Sequence, residues 1–207
     1  MEILEFVMTE QERIEHNRAF QEACALIKDK IPVHDRPSMT KPGWSLRRRL
    51  NRALSLFEQV LQLNPENWSA MWMAGKIHQR LGDFTAALSW FDRAYQVNPS
   101  QPDVAREAAL CAMELGRHDA AIVFAHRAVQ IQPANAGLHA NLALAYLLAG
   151  RVNEAQTSID RSLAADPTDA ISKTVLDVIR HFAANGRTPP ATPPALEQYW
   201  RKNRTAQ

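Results

Sequence analysis

Four prolines stand at equal intervals in this chain: Pro65, Pro99, Pro133 and Pro167, each 34 residues after the last. Two more series keep the same period, Gly82, Gly116 and Gly150, and Ala87, Ala121 and Ala155. Three residue types in one register mean a repeated structural unit, which limits the possible folds more than any other feature here. Each unit reads as helix, glycine turn, helix, proline turn. Glycine can end a helix in the left-handed conformation without a Cβ penalty. Proline stops the next one, because its ring excludes continued helical hydrogen bonding.

The segments between these stops carry helical periodicity. Met71, Ala74 and His78 fall at i, i+3 and i+7, and Ala87, Phe91, Ala94 and Val97 recur at spacings of three and four. Gly75, Ala109 and Ala143 are small enough to let paired helices approach closely. The turn Leu81 to Asp83 is too short for anything but an antiparallel hairpin. The 12 prolines, high for a helical chain, sit between helices and in the tail, so they punctuate helices rather than break them.

With Met71, Ala74, Gly75, His78, Ala87, Phe91, Ala94 and Pro99 in register, the chain resembles the tetratricopeptide repeat family. The second unit repeats the pattern with Ala105, Ala108, Ala109, Ala112, Ala121, Ala125, Ala128 and Pro133. The third has His139, Leu142, Ala143, Tyr146, Ala155, Ile159, Ser162 and Pro167. His78 and Ala112 replace a usual aromatic, and Ala125 a usual large residue. The resemblance implies an all-α, right-handed superhelical solenoid of antiparallel helix pairs, with full repeats at 68–101, 102–135 and 136–169. Ala53, Phe57 and Pro65 match the second helix of a partial repeat at 44–67. Its partner is expected from residues 1–43, as a helix over about Glu10 to Lys28 followed by a long loop. A capping helix is expected at 170–186. Residues 187–207 should form an extended proline-rich linker, Thr188 to Pro194, and a short helix with Leu196, Tyr199 and Trp200 on one side.

In this family the first helix of each pair lines a concave wall. Helical spacing assigns to that wall Trp72, Lys76 and Arg80, then Arg106, Leu110 and Met113, then Asn141, Leu144 and Leu148. It turns from basic and aromatic to apolar, which suits a peptide or the chain's own tail. The expected function is a non-catalytic interaction scaffold or chaperone-like adaptor that binds a protein or peptide segment. The alternative is a self-associating module, a homo-oligomer exchanging groove or terminal helices between copies. The resemblance does not extend to the clamp by which related domains clasp acidic chaperone C-termini. The corresponding places hold Trp72, Lys76, Glu107, Gly137 and Asn141, and Glu107 would repel a carboxylate.

No catalytic motif, phosphate loop or dinucleotide turn is present, so no enzyme and no cofactor is expected. The histidines are scattered and read as solvated surface residues, with no metal set. Cys24 and Cys111 read as free thiols of a reducing compartment. The net charge of +2 argues against a surface built for nucleic acid. Arg47, Arg48, Arg49 and Arg52 read as the solvated side of a helix packed through Leu46, Leu50, Ala53 and Leu54. Met1 to Glu10 lacks the basic region of a secretory signal, and no apolar run spans a bilayer, so a cytoplasmic location with no membrane partner is expected.

Overall fold

The computed structural model describes residues 8–28, 30–31 and 41–204, and ten α-helices occur among them. The chain divides into two compact units, residues 1–98 and 99–207.

The first unit holds α1 (Glu10–Ile27), α2 (Trp44–Leu63), α3 (Trp68–Leu81) and α4 (Phe84–Val97). A capping box opens α1: the Thr9 hydroxyl accepts from Glu12 N, and the Thr9 amide donates to the Glu12 carboxylate at 2.8 Å. α1 packs along α2, supplying the partner that the partial repeat needs. Ala19, Ala23 and Ile27 of α1 share a core with Leu50, Ala53, Phe57 and Val60 of α2 and with Ala70 and Ile77 of α3. Phe20 meets Phe57 edge-on at 5.6 Å. Burying Phe57 completely contributes about 1.5–3 kcal/mol. Asn67 ties this core to the next hairpin, since its side-chain oxygen caps α3 at Ala70 N while its amide donates to His16 Nε2 at 2.9 Å.

The pairing of α3 with α4 explains Gly75. A Cβ there would stand 2.6 Å from the Phe91 ring, far inside contact distance, so only glycine lets the helices close on that ring. Gly82 ends α3 at φ 84°, and Gly116 and Gly150 take positive φ at the equivalent turns.

The second unit holds α5 (Pro102–Glu114), α6 (His118–Ile131), α7 (Ala136–Leu148), α8 (Val152–Ala165), α9 (Ala170–Asn185) and α10 (Pro193–Arg204). α7 is its axis. It packs against α5, α6, α8 and α9, and Leu138 to Ala140 and Leu142 to Leu148 are all buried. A helix apolar on every side is stable only when surrounded in this way. Asp169 caps α9 through Ile171 N and Ser172 N, and Ser172 Oγ meets Ser162 Oγ at 2.7 Å, so the last helix is keyed to α8 by buried hydroxyls. The tail departs from expectation at one point. Pro193 and Pro194 are not part of an extended linker but the first turn of α10, where proline's fixed φ fits and no amide is lost.

Candidate functional site

The chain's own tail defines the most structured surface of the second unit. Beyond Gly186 it passes the α5–α6 turn, where His118 Nε2 donates to the Ala191 carbonyl at 2.8 Å. A Cβ on Gly116 would lie 3.7 Å from the Thr192 methyl, so tail and turn are in near contact. α10 then touches α5 and lays its aromatic side on α9. Tyr199 lies over Phe182 with ring centroids 5.2 Å apart, and its hydroxyl is 3.0 Å from His181 Nε2. Trp200 meets the His181 ring edge-on at 5.4 Å. Leu196 is 7% exposed and Pro189 is also buried. α10 thus touches α5 and α9, two helices that both pack against α7.

The nine expected wall residues fall into two sets. Trp72, Lys76 and Arg80 share one side of α3 in the first unit. Trp72 and Arg80 are half-buried and Lys76 is 2% exposed. The buried Trp72 indole N–H has no hydrogen-bond partner among the described residues. Arg106, Leu110 and Met113 lie on α5, and Asn141, Leu144 and Leu148 on the adjoining α7. Leu110 and Asn141 are half-buried, while Met113, Leu144 and Leu148 are buried. Arg106 holds Asp103 and Glu107 at 2.9 Å each, so its charge is committed within α5. Glu107 is 1% exposed and pairs with Arg106, a cation it shares with Asp103.

Two histidines depart from the expectation of solvated surface residues, whereas His126 is exposed. His16 and His139 are buried, and His139 Nε2 donates to the Pro133 carbonyl at 2.8 Å, joining α7 to the preceding proline turn. His126 Nε2 lies 2.6 Å from the Tyr146 hydroxyl. Burial pushes the His78 imidazole below the usual histidine range, against the opposing pull of Asp83 and Glu58. Its 3.8 Å approach to Asp83 is therefore a contact of a neutral ring rather than an ion pair. Among the described residues no cluster of three or more His, Cys, Asp or Glu could hold a metal, and no helix is long and apolar enough to cross a membrane.

The residues that receive the tail, His118, His181 and Phe182, were not marked as a set by any sequence signal. His118 opens α6 while His181 and Phe182 adjoin in α9, and the tail is what contacts both places.

Paired helices closed by glycine turns, stacked through alanine and presenting a face that accepts another helix, define a helical-repeat interaction protein. The chain belongs to the tetratricopeptide repeat family: family profiles match residues 47–102 and 112–176, together more than half its length. Members of this family are generally non-catalytic interaction modules. Solved structures agree on the fold. MamA residues 41 to the end from Desulfovibrio magneticus RS-1 matches with a TM-score of 0.65 at 15% identity, covering 94% of each chain. YrrB, described as a TPR protein with an unusual peptide-binding site, matches at TM-score 0.57 and 19% identity over 65% of this chain and 69% of its own. The first TPR of Spaghetti (RPAP3), bound to the HSP90 peptide SRMEEVD, matches at TM-score 0.54 and 16% identity over 58% of this chain and 95% of its own. No curated protein sequence matches the chain.

Proposed function

We propose that this protein is an interaction scaffold whose second unit binds an amphipathic helical segment of a partner across α5, α7 and α9. The observation that carries this reading is α10, an amphipathic helix that touches α5, lays Tyr199 and Trp200 on His181 and Phe182 of α9, and buries Leu196. A surface that accepts one short helix has the shape and apolarity for another of the same pattern. Leu110, Asn141, Leu144 and Leu148 are the residues assigned to the binding wall. The tail acts as a tethered placeholder that a partner displaces. A short tether holds its end at an effective concentration on the order of millimolar, so a weak contact suffices to cover the face.

The test is binding in trans. A chain ending at Gly186 and the full chain carrying Leu196→Asp are each titrated with a labelled peptide of residues 187–204, alongside the unaltered protein. Saturable binding to both altered forms, at least about ten-fold tighter than to the unaltered chain, is the expected result. If neither altered form binds the peptide while circular dichroism shows both folded, the face is not a helix receptor. Peptide-dependent association of two protein copies would favour exchange of the tail between molecules instead.

A further inference from the structure

The end of the α1–α2 hairpin carries a cluster that the repeat architecture does not require. Trp44, the first residue of α2, is 76% exposed. Arg47 and Arg48 are exposed beside it, with the Arg48 guanidinium 5.7 Å from the centre of the Trp44 ring. Lys41 precedes Trp44 and is also exposed. The two helices run antiparallel, since Arg49 donates to the Leu26 carbonyl at 2.9 Å and Arg52 pairs with Glu22. That arrangement brings exposed Lys28 and Lys30, just beyond the end of α1, to the same end of the hairpin.

Two physical features argue that this cluster is more than a solvated face. From Arg36 to Phe57 the sequence holds no aspartate or glutamate, although the whole chain has 22 of them. Lys28 and Lys30 flank one acid in sequence, Asp29, outside the described residues, and the nearest described acid on the facing helix, Glu22, is paired with Arg52. Helix energetics also run against the placement: cations in the first turns of a helix oppose its macrodipole, so Arg47 and Arg48 weaken α2 where they stand. Arg49 and Arg52 have partners within the fold, whereas among the described residues Arg47 has no polar contact and Arg48 meets only the exposed indole.

We infer that the hairpin end is a docking surface for an anionic phospholipid bilayer. Cations around an exposed indole match the charge and polarity gradient of a headgroup region: tryptophan settles at the boundary of polar and apolar layers, and basic residues gain from anionic lipids. The cluster crowns the end of a hairpin, a placement that suits a flat surface better than an enclosed peptide. Binding is peripheral and reversible, because one indole and a few cations anchor weakly. Salt weakens it by screening the exposed charges.

Co-sedimentation of the full-length protein with vesicles tests this. Phosphatidylcholine vesicles containing phosphatidylglycerol should pellet the protein, and phosphatidylcholine vesicles alone should not. Arg47→Glu with Arg48→Glu should lower the partition about ten-fold or more, and Trp44→Ala by several-fold. Trp44→Ser keeps a small helix-compatible residue and repeats the second arm if the alanine variant misfolds. Equal binding to both vesicle types, or binding unchanged in folded variants, overturns the inference. So does retention of the protein by single-stranded DNA without any anionic-vesicle binding, which would make the cluster a base-stacking platform. All of these residues lie outside α5–α10, so binding of the 187–204 peptide to the tail-deleted chain should be unaffected by the substitutions.

Discussion

The two units use the same helical hairpin and treat their ends in opposite ways. In the first, the added helix α1 completes the core and leaves a basic, aromatic end facing solvent. In the second, the added helix α10 contributes little core of its own and instead covers the face formed by older neighbours. The interior is dictated by the repeat: alanines where helices cross, a glycine where a ring presses against a backbone, prolines where helices stop. The surfaces that distinguish this chain come from its non-repeating ends.

The largest separation between them is expected from Phe182→Ala. Phe182 is 1% exposed, carries the Tyr199 ring on one side and packs in α9. Truncating it leaves a cavity and strips α10 of its aromatic support, at a cost of about 3–5 kcal/mol. Hydrogen exchange should show α10 opening first while the amides of α1 and α2 keep their protection. Equal loss of protection in α1 and α2 would mean that the two units unfold as one, and the comparison would collapse.

A smaller, complementary effect is expected in the first unit. Gly75→Ala forces a methyl group onto the Phe91 ring, which is fully buried and has no room to swing away. Overpacking of this kind costs about 1–3 kcal/mol. Urea denaturation should report the loss, while the protection of α10 amides stays as in the unaltered chain. A stabilised Gly75→Ala variant would show that the α3–α4 pair closes by some route other than glycine.

How much of this could be read from residues alone follows the same division. The 34-residue period implied helix, glycine turn, helix, proline turn in each unit, and α3 to α8 follow that order, because glycine and proline terminate helices for local reasons. α1 was expected over about Glu10 to Lys28 as the partner of the partial repeat, and Thr9 with Glu12 forms a capping box that could have fixed its start. Local chemistry misjudged the tail, since Pro193-Pro194 looks like extended chain until the helix that follows is known to dock. It also misjudged His16 and His139, which are buried and bonded to Asn67 and to the Pro133 carbonyl, groups outside their own helices. The wall residues were legible as a helical face. Their burial was not, because periodicity locates a face without saying what lies upon it.

The finest probe of the second unit is the carboxylate at its last repeat boundary. Asp169 accepts from Ser172 Oγ and from the amides of Ser172 and Ile171. These bonds favour the charged form and hold its pKa below the ordinary aspartate value, the Ser172 hydroxyl contributing most. Asp166 is lowered likewise by Thr168. A carboxylate whose folded pKa is depressed adds stability above its unfolded pKa, and that stability is lost as pH falls through the folded value. Acid should therefore loosen the start of α9 before it affects hairpins that lack such caps. Asp169→Ala should cost about 1 kcal/mol at neutral pH, the usual worth of an N-cap. The difference between this variant and the unaltered protein should shrink as the pH drops below the ordinary aspartate range, where the native carboxylate loses its charge as well. A gap that stays constant across that range would mean that Asp169 acts by packing rather than by charge. Because α9 carries His181 and Phe182, the same acid step should raise the exchange rate of α10 and leave α1 and α2 unchanged.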